Sequence, residues 1–221
     1  METHNDNSET RLRITEIFYS LQGESRSVGI PTSFIRLTGC PLRCGYCDTE
    51  YAFSGGQWME QEAILAAVAA NKTRYVTVTG GEPLAQKSCL ALLKRLCDQG
   101  YQVSLETSGA LDVCQVDARV SKVMDIKTPG SGEQDKNRWA NIACLSSEDQ
   151  VKFVLCDRQD YDWAINIMHK YRLTEKCEVL FSPSHQVLSI NDLANWVLAD
   201  QLSVRVQIQL HKHIWGNTPG K

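Results

Sequence analysis

Three thiols fall within one short stretch, Cys40-Pro-Leu-Arg-Cys44-Gly-Tyr-Cys47, spaced C-x3-C-x2-C. Thiolates so close on a short loop can converge on one small inorganic centre. A tetrahedral structural zinc site calls for a fourth ligand nearby. A cubane iron–sulfur cluster held by only three cysteines leaves one iron open to an exogenous ligand. The spacing by itself leaves both open. Further on stands Gly80-Gly-Glu-Pro83. Two glycines let the backbone approach a ligand closely or adopt positive φ, and Glu82 is placed to accept hydrogen bonds from a cationic amine. Arg36 is a cation inside an otherwise apolar stretch, Phe34-Ile-Arg-Leu37. A buried guanidinium is costly without an anion; a substrate carboxylate would answer that need, and so would a structural salt bridge.

The elements that must position these groups alternate between strand and helix. β-branched and aromatic runs read as strands at 32–38, 74–79, 101–106, 116–126, 150–155 and 177–181. Residues 11–19 read as an edge strand. The alternation over 203–210 gives a last strand, which puts His211 and His213 on one face, either as surface groups or as a late polar lid. Helices are expected at 60–70, 86–99, 158–171 and 190–200, with a short one within 137–149. On the second of these Leu90, Leu93 and Cys97 form one stripe, and Gly100 sits where a helix stops. Such alternation implies right-handed crossovers and a mostly parallel α/β sheet. About six or seven strands are too few for a closed eight-stranded barrel, so an open partial (β/α) barrel is expected. The chemically distinctive stretches (40–49, 80–83, 107–109, 125–127 and 209–212) all fall at or just past the C-terminal ends of strands. Parallel β/α folds bind their ligands at that edge.

Composition narrows the class. The 221 residues fit one domain, taken as 11–221, with the polar, acidic 1–10 a disordered lead-in that lacks the apolar core of a secretory signal. A net charge of −3 gives no basic footprint for nucleic acid, and no apolar run approaches a membrane span. Nine cysteines, an odd number with three clustered, suit a reducing cytoplasm and a metal site rather than a disulfide framework. The other six, Cys89, Cys97, Cys114, Cys144, Cys156 and Cys177, are expected to be buried structural thiols, one of them available as a fourth ligand to zinc.

The cysteine spacing with Tyr46 before the last thiol, followed by Gly-Gly-Glu-Pro after the next strand, resembles the radical S-adenosylmethionine (SAM) superfamily. Within it the chain closely resembles the 7-carboxy-7-deazaguanine synthases from about Ile14 to Trp215. The marks are Ser20-Leu-Gln-Gly-Glu24, Phe34-Ile-Arg-Leu37, Cys47-Asp-Thr49, Thr79-Gly-Gly-Glu-Pro83, Glu106-Thr-Ser-Gly109, Asp125-Ile-Lys-Thr-Pro-Gly130 and Gln209-Leu-His-Lys212. The first lies ahead of the cluster loop, where a generic radical SAM protein has no such requirement.

That resemblance implies a radical SAM lyase. It contracts 6-carboxy-5,6,7,8-tetrahydropterin to 7-carboxy-7-deazaguanine with loss of ammonia, on the way to queuosine and other 7-deazapurines. Cys40, Cys44 and Cys47 would hold a [4Fe–4S] cluster whose open iron binds SAM, releasing a 5′-deoxyadenosyl radical that abstracts hydrogen from pterin C6. Leu21, Gln22, Gly23, Arg36 and Thr79 would meet the substrate, and Thr49 would ligate Mg²⁺. Tyr46, Cys47, Asp48, Gly81, Ser108, Asp125, Ile126 and Lys127 would contact SAM, with Phe181–Ser184 closing over the adenine. Asp125 and Ile126 stand where the family often has Ser-Pro. The resemblance also implies a homodimer and a flavodoxin or ferredoxin electron donor. The rivals are a glycyl-radical-activating enzyme and a zinc-stabilised binding module.

Overall fold

A computed structural model describes residues 10–218 and 220. The lead-in over 1–9, with Pro219 and Lys221 of the tail, lies outside the described residues. The chain runs β1 (Arg11–Leu21), β2 (Pro31–Leu37), β3 (Gln57–Glu60), α1 (Gln61–Ala70), β4 (Tyr75–Gly80), α2 (Cys89–Asp98), β5 (Gln102–Thr107), β6 (Ser121–Asp125), β7 (Gln150–Leu155), α3 (Arg158–Tyr171), β8 (Glu178–Pro183), α4 (Ile190–Ala199), β9 (Arg205–Val206) and α5 (Leu210–Trp215). The strands form one open sheet in the order β3-β1-β2-β4-β5-β6-β7-β8-β9. From β2 through β4 to β9 every pairing is parallel, so the parallel run has the expected extent.

Two antiparallel strands extend it. β1 pairs β2 on one side and β3 on the other, so β1 is not the edge strand its alternation suggested. β3 is the edge. Its sequence, Gln-Trp-Met-Glu, is too short and too polar at its ends to read as a strand. The pairing of β1 with β2 shifts by one residue between Ile14 and Glu16, and this bulge sets Glu16 opposite Arg36.

Side chains on a strand alternate between faces, and here the two faces do different work. Ile35 and Leu37, Val76 and Val78, Val103 and Leu105, Val151, Phe153 and Leu155, and Val179 and Phe181 point to the helix side and form the core. Each fully buried large aliphatic or aromatic side chain contributes about 1.5–3 kcal/mol. The alternate positions Arg36, Thr79, Glu106, Asp125, Lys152 and Ser182 face a cavity instead. Helix placement follows local signals. Asp157 caps α3 by accepting the Asp160 backbone N–H at 2.9 Å, and the apolar stripe of α2 buries Leu92, Leu93 and Leu96.

Two expectations about cysteines and the last strand are corrected. Cys114 and Cys144 are joined as a disulfide, Cα–Cα 5.2 Å, with Cys114 exposed. Of the six scattered cysteines only Cys89 and Cys177 are buried thiols; Cys97 and Cys156 are half-buried. The alternating run 203–210 pairs as a strand only at Arg205–Val206, and residues 210–215 turn into α5. Among the described residues no helix is long and apolar enough to cross a membrane.

Candidate active site

A cavity of about 750 Å³ opens at the C-terminal ends of the strands. Cys40, Cys44 and Cys47, all free and half-buried, line it. Their loop is held by close backbone contact. A Cβ on Gly81 would lie 2.3 Å from the Gly39 carbonyl oxygen and 2.7 Å from Cys40 Cβ; one on Gly80, at φ +153, would lie 2.3 Å from the Leu37 oxygen. Gly81 N–H donates to Leu37 O at 3.2 Å and Glu82 N–H to Gly39 O at 2.8 Å. The glycine pair therefore seats the end of β4 directly against the cysteine loop. On the outer side, Gly45 N–H donates to Ser131 O at 3.0 Å. Burial pushes the Cys44 thiol up to about 11 and raises Cys40 and Cys47 as well. Thiols raised in this way must give up their protons when they bind a metal.

Glu82 does not face the cavity. It is fully buried, and its carboxylate accepts from Thr107 Oγ1 (2.9 Å), Ser108 N–H (2.7 Å), Ser108 Oγ and Leu84 N–H (3.0 Å). With its acceptor sites filled, it ties the end of β4 to the end of β5 rather than receiving an amine. Ser108 lines the cavity with its hydroxyl committed to Glu82.

Beyond the thiols, Tyr46, Asp48, Thr49, Gly81, Asp125 and Lys127 line the same wall. Asp125 Oδ2 lies 3.1 Å from Lys127 Nζ and 3.7 Å from Lys152 Nζ, while its Oδ1 is buried with no hydrogen-bond partner. Asn137 grips the Lys127 backbone, accepting its N–H and donating to its carbonyl, both at 2.8 Å. Thr49 Oγ1 donates to Asp48 Oδ1 at 2.8 Å. Ile126 is not brought to the cavity: its side chain is in the core, 3% exposed. Ser182, Pro183 and Ser184 reach the cavity, whereas Phe181 packs edge-on against Phe153 and Tyr161.

Leu21, Gln22, Gly23, Arg36 and Thr79 line the same cavity. Gln22 Nε2 donates to Glu106 Oε1 (3.2 Å) and Thr77 Oγ1 (3.1 Å), and Thr79 Oγ1 donates to Glu106 Oε2 (2.9 Å). Arg36 Nε binds Glu16 Oε1 at 2.7 Å, and Tyr51 OH donates to the same oxygen at 2.8 Å. The structural salt bridge is thus present and engages one edge of the guanidinium. The group lies over the rings of Phe18 and Tyr51, and no hydrogen bond joins its Nη atoms to the described residues. Lys152 Nζ lies 3.3 Å from Glu24 Oε2. Burial works against its charge, but the carboxylates of Glu24, Asp125 and Glu106 outweigh it and hold the ammonium protonated. Burial pushes Glu24 up, and Lys152 pulls it back.

The start of α5 closes this wall. Leu210 N–H donates to Gly23 O at 2.9 Å, and a Cβ on Gly23 would sit 1.9 Å from His211 Nδ1. His211 and His213 were expected to share a strand face. On the helix His211 lines the cavity and His213 is exposed. Burial lowers the His211 pKa, so its imidazole is neutral at pH 7. Lys212 Nζ reaches Asp48 Oδ2 at 2.6 Å, and Gln209 Nε2 reaches it at 3.0 Å, joining the late segment to the residue after Cys47.

Sequence reasoning assigned no role to Lys152, Glu106 or Glu16. Lys152 carried the signal that singled out Arg36, a cation inside an apolar strand. Glu106 carried only a charge near a strand end, and Glu16 a charge in mid-strand.

A model of the radical SAM superfamily matches residues 34–173. Proteins named 7-carboxy-7-deazaguanine synthase are similar over nearly the whole length. One from Koribacter versatilis is 43% identical over 219 residues, covering 92% of this chain and 97% of that protein. One from Chlorobaculum tepidum is 44% identical over 211 residues, covering 94% and 96%. Among solved structures, QueE from Escherichia coli superposes with a TM-score of 0.76 at 22% identity, over 91% of this chain and 95% of that one. SuiB from Streptococcus suis bound to S-adenosylmethionine gives 0.54 at 15%, over 77% and 48%. These last two show the fold alone. The chain belongs to the radical SAM superfamily and, within it, to the 7-carboxy-7-deazaguanine synthase family.

Proposed function

We propose that this cavity contracts 6-carboxy-5,6,7,8-tetrahydropterin to 7-carboxy-7-deazaguanine with loss of ammonia, a step toward queuosine and other 7-deazapurines. One observation carries the reading: the three thiols and the set Leu21, Gln22, Gly23, Arg36 and Thr79 all line a single cavity. A radical formed beside the thiols would then share one enclosure with a substrate held by that set.

The residues suit the cofactors the family uses. Three free thiols on one loop match a [4Fe–4S] cluster with one open iron. Gly81 leaves no room for a side chain against Gly39 and Cys40, which seats its backbone beside the cluster loop where SAM would bind. Asp125 Oδ1 and Ser182 Oγ, buried and unpartnered, await a polar ligand. A cluster held there would supply the one-electron reduction of SAM, and SAM the radical for hydrogen abstraction at pterin C6.

This chain's own residues bind and orient. Cys40, Cys44 and Cys47 hold the cluster. Tyr46, Asp48, Gly81, Ser108, Asp125 and Lys127 surround SAM, with Ile126 contributing backbone only. Arg36 presents its free Nη edge to the substrate carboxylate, while Glu16 fixes the other edge. Gln22 and Thr79 orient Glu106, whose carboxylate accepts from pterin N–H groups. Neutral His211 and α5 cover the bound ring. Thr49 would offer Mg²⁺ a hydroxyl beside the Asp48 carboxylate, oxygen donors of the kind that ion takes. Residues 11–221 act as one domain, in the cytoplasm, as a homodimer served by a flavodoxin- or ferredoxin-type donor.

The test is an anaerobic incubation of iron-loaded protein with SAM, reductant and carboxytetrahydropterin, followed by mass spectrometry. The reading predicts 7-carboxy-7-deazaguanine, with SAM recovered. A colourless, zinc-containing protein that leaves the pterin untouched would overturn it.

A further inference from the structure

Arg43 stands between Cys40 and Cys44, and its guanidinium folds back on its own loop. Nη1 donates to the carbonyl oxygens of Cys40 at 2.8 Å and Leu42 at 2.6 Å. The guanidinium carbon lies 4.3 Å from the centroid of the Phe53 ring, itself part of the cavity wall. The Arg43 backbone N–H donates to Glu133 Oε1 at 2.5 Å, in the segment that also anchors Gly45 through Ser131. An exposed arginine ordinarily leaves its head in water. Here two hydrogen bonds and a ring face offset the rotamer freedom lost.

We infer that Arg43 is a positioning residue of the cysteine loop: it holds the Cys40–Cys44 segment in the shape that takes up metal and biases the bound cluster toward its reduced state. The first effect follows from the bridge. Two carbonyls of a short loop, those of Cys40 and Leu42, are pinned by one planar cation, so the thiols on either side lose freedom before metal arrives. The second follows from charge. Three thiolates make the loop anionic when metal is bound, and one-electron reduction adds another negative charge. A fixed cation bonded to the carbonyl of one ligand residue and adjacent in sequence to another favours that added electron. Arg43 is exposed, so solvent and salt screen the effect and keep it modest.

This inference rests on reading Cys40–Cys47 as a cluster loop, and one experiment separates the two. Wild type, Arg43→Met and Arg43→Lys are reconstituted anaerobically with limiting iron and sulfide. Iron and sulfide are quantified, and the midpoint potential is read by redox titration followed by electron paramagnetic resonance, without SAM. A wild type that takes up no iron ends the cluster reading itself. With wild type loaded, Arg43→Met is expected to bind less iron and to have its reduction constant lowered about threefold, about 28 mV at 59 mV per tenfold for one electron. Arg43→Lys keeps the charge but lacks the planar fork; it is expected to recover the potential while uptake stays low. Wild-type iron content and potential in Arg43→Met overturn the proposal. If Arg43→Met does not fold, Arg43→Lys decides alone: lowered uptake supports the bridge, and wild-type uptake overturns it.

Discussion

At the cysteine wall the contacts are made by backbone at close range; at the pterin wall they are made by charged side chains. Gly80 and Gly81 bring β4 within van der Waals limits of Leu37, Gly39 and Cys40, and buried Glu82 accepts from three donor residues without touching the cavity. Around the pterin set, Arg36 is held by Glu16 on one edge, and Lys152 sits among three carboxylates. The first wall is set before any ligand arrives. The second is a set of charges that bound ligands complete. A reactive radical needs a rigid generator, whereas an anionic substrate needs complementary charge.

The comparison breaks hardest at the thiols. On the proposed function Cys44→Ala removes one of three cluster ligands, and cluster content and SAM cleavage are expected to fall to background in anaerobic reconstitution. Gly81→Ala should come next. Its Cβ meets backbone rather than a flexible side chain, so destabilisation at the upper end of about 1–3 kcal/mol is expected, together with reduced iron uptake. Thermal unfolding and iron analysis measure both. Gly23→Ala probes the pterin set instead and should act more gently. Its Cβ displaces only the His211 side chain, which can rotate away. Full iron content with a several-fold rise in KM for the pterin is expected, about 1 kcal/mol of binding. Equal losses of iron in Gly23→Ala and Gly81→Ala would erase the distinction between the walls.

Both walls were partly legible in the sequence. Strong local patterns located β7 and α3 at the residues where they stand, and strand-end placement gathered the motifs on one edge. The misses have physical causes. The run 203–210 alternates well, yet only β8 is available to pair with it, and Leu210 instead donates to Gly23. β3 has no strand-forming sequence of its own and exists because β1 offers a partner. Glu82 looked free because its acceptors are filled by Thr107 and Ser108, which come from the next β/α unit. Lys152 went unassigned because its partners, Glu24 and Asp125, lie 128 and 27 positions away in the sequence.

The most direct test of the two-wall account is Arg36→Met, assayed anaerobically for 5′-deoxyadenosine and 7-carboxy-7-deazaguanine in the same sample. Iron content should match wild type, and SAM should still be cleaved to 5′-deoxyadenosine. Deazaguanine product should fall at least a hundredfold, because a charge-assisted contact to the substrate carboxylate is lost, with an expected cost of about 3 kcal/mol. Wild-type product formation would show that the Arg36 guanidinium serves Glu16 alone. Loss of iron along with product would show that the two walls are not separate.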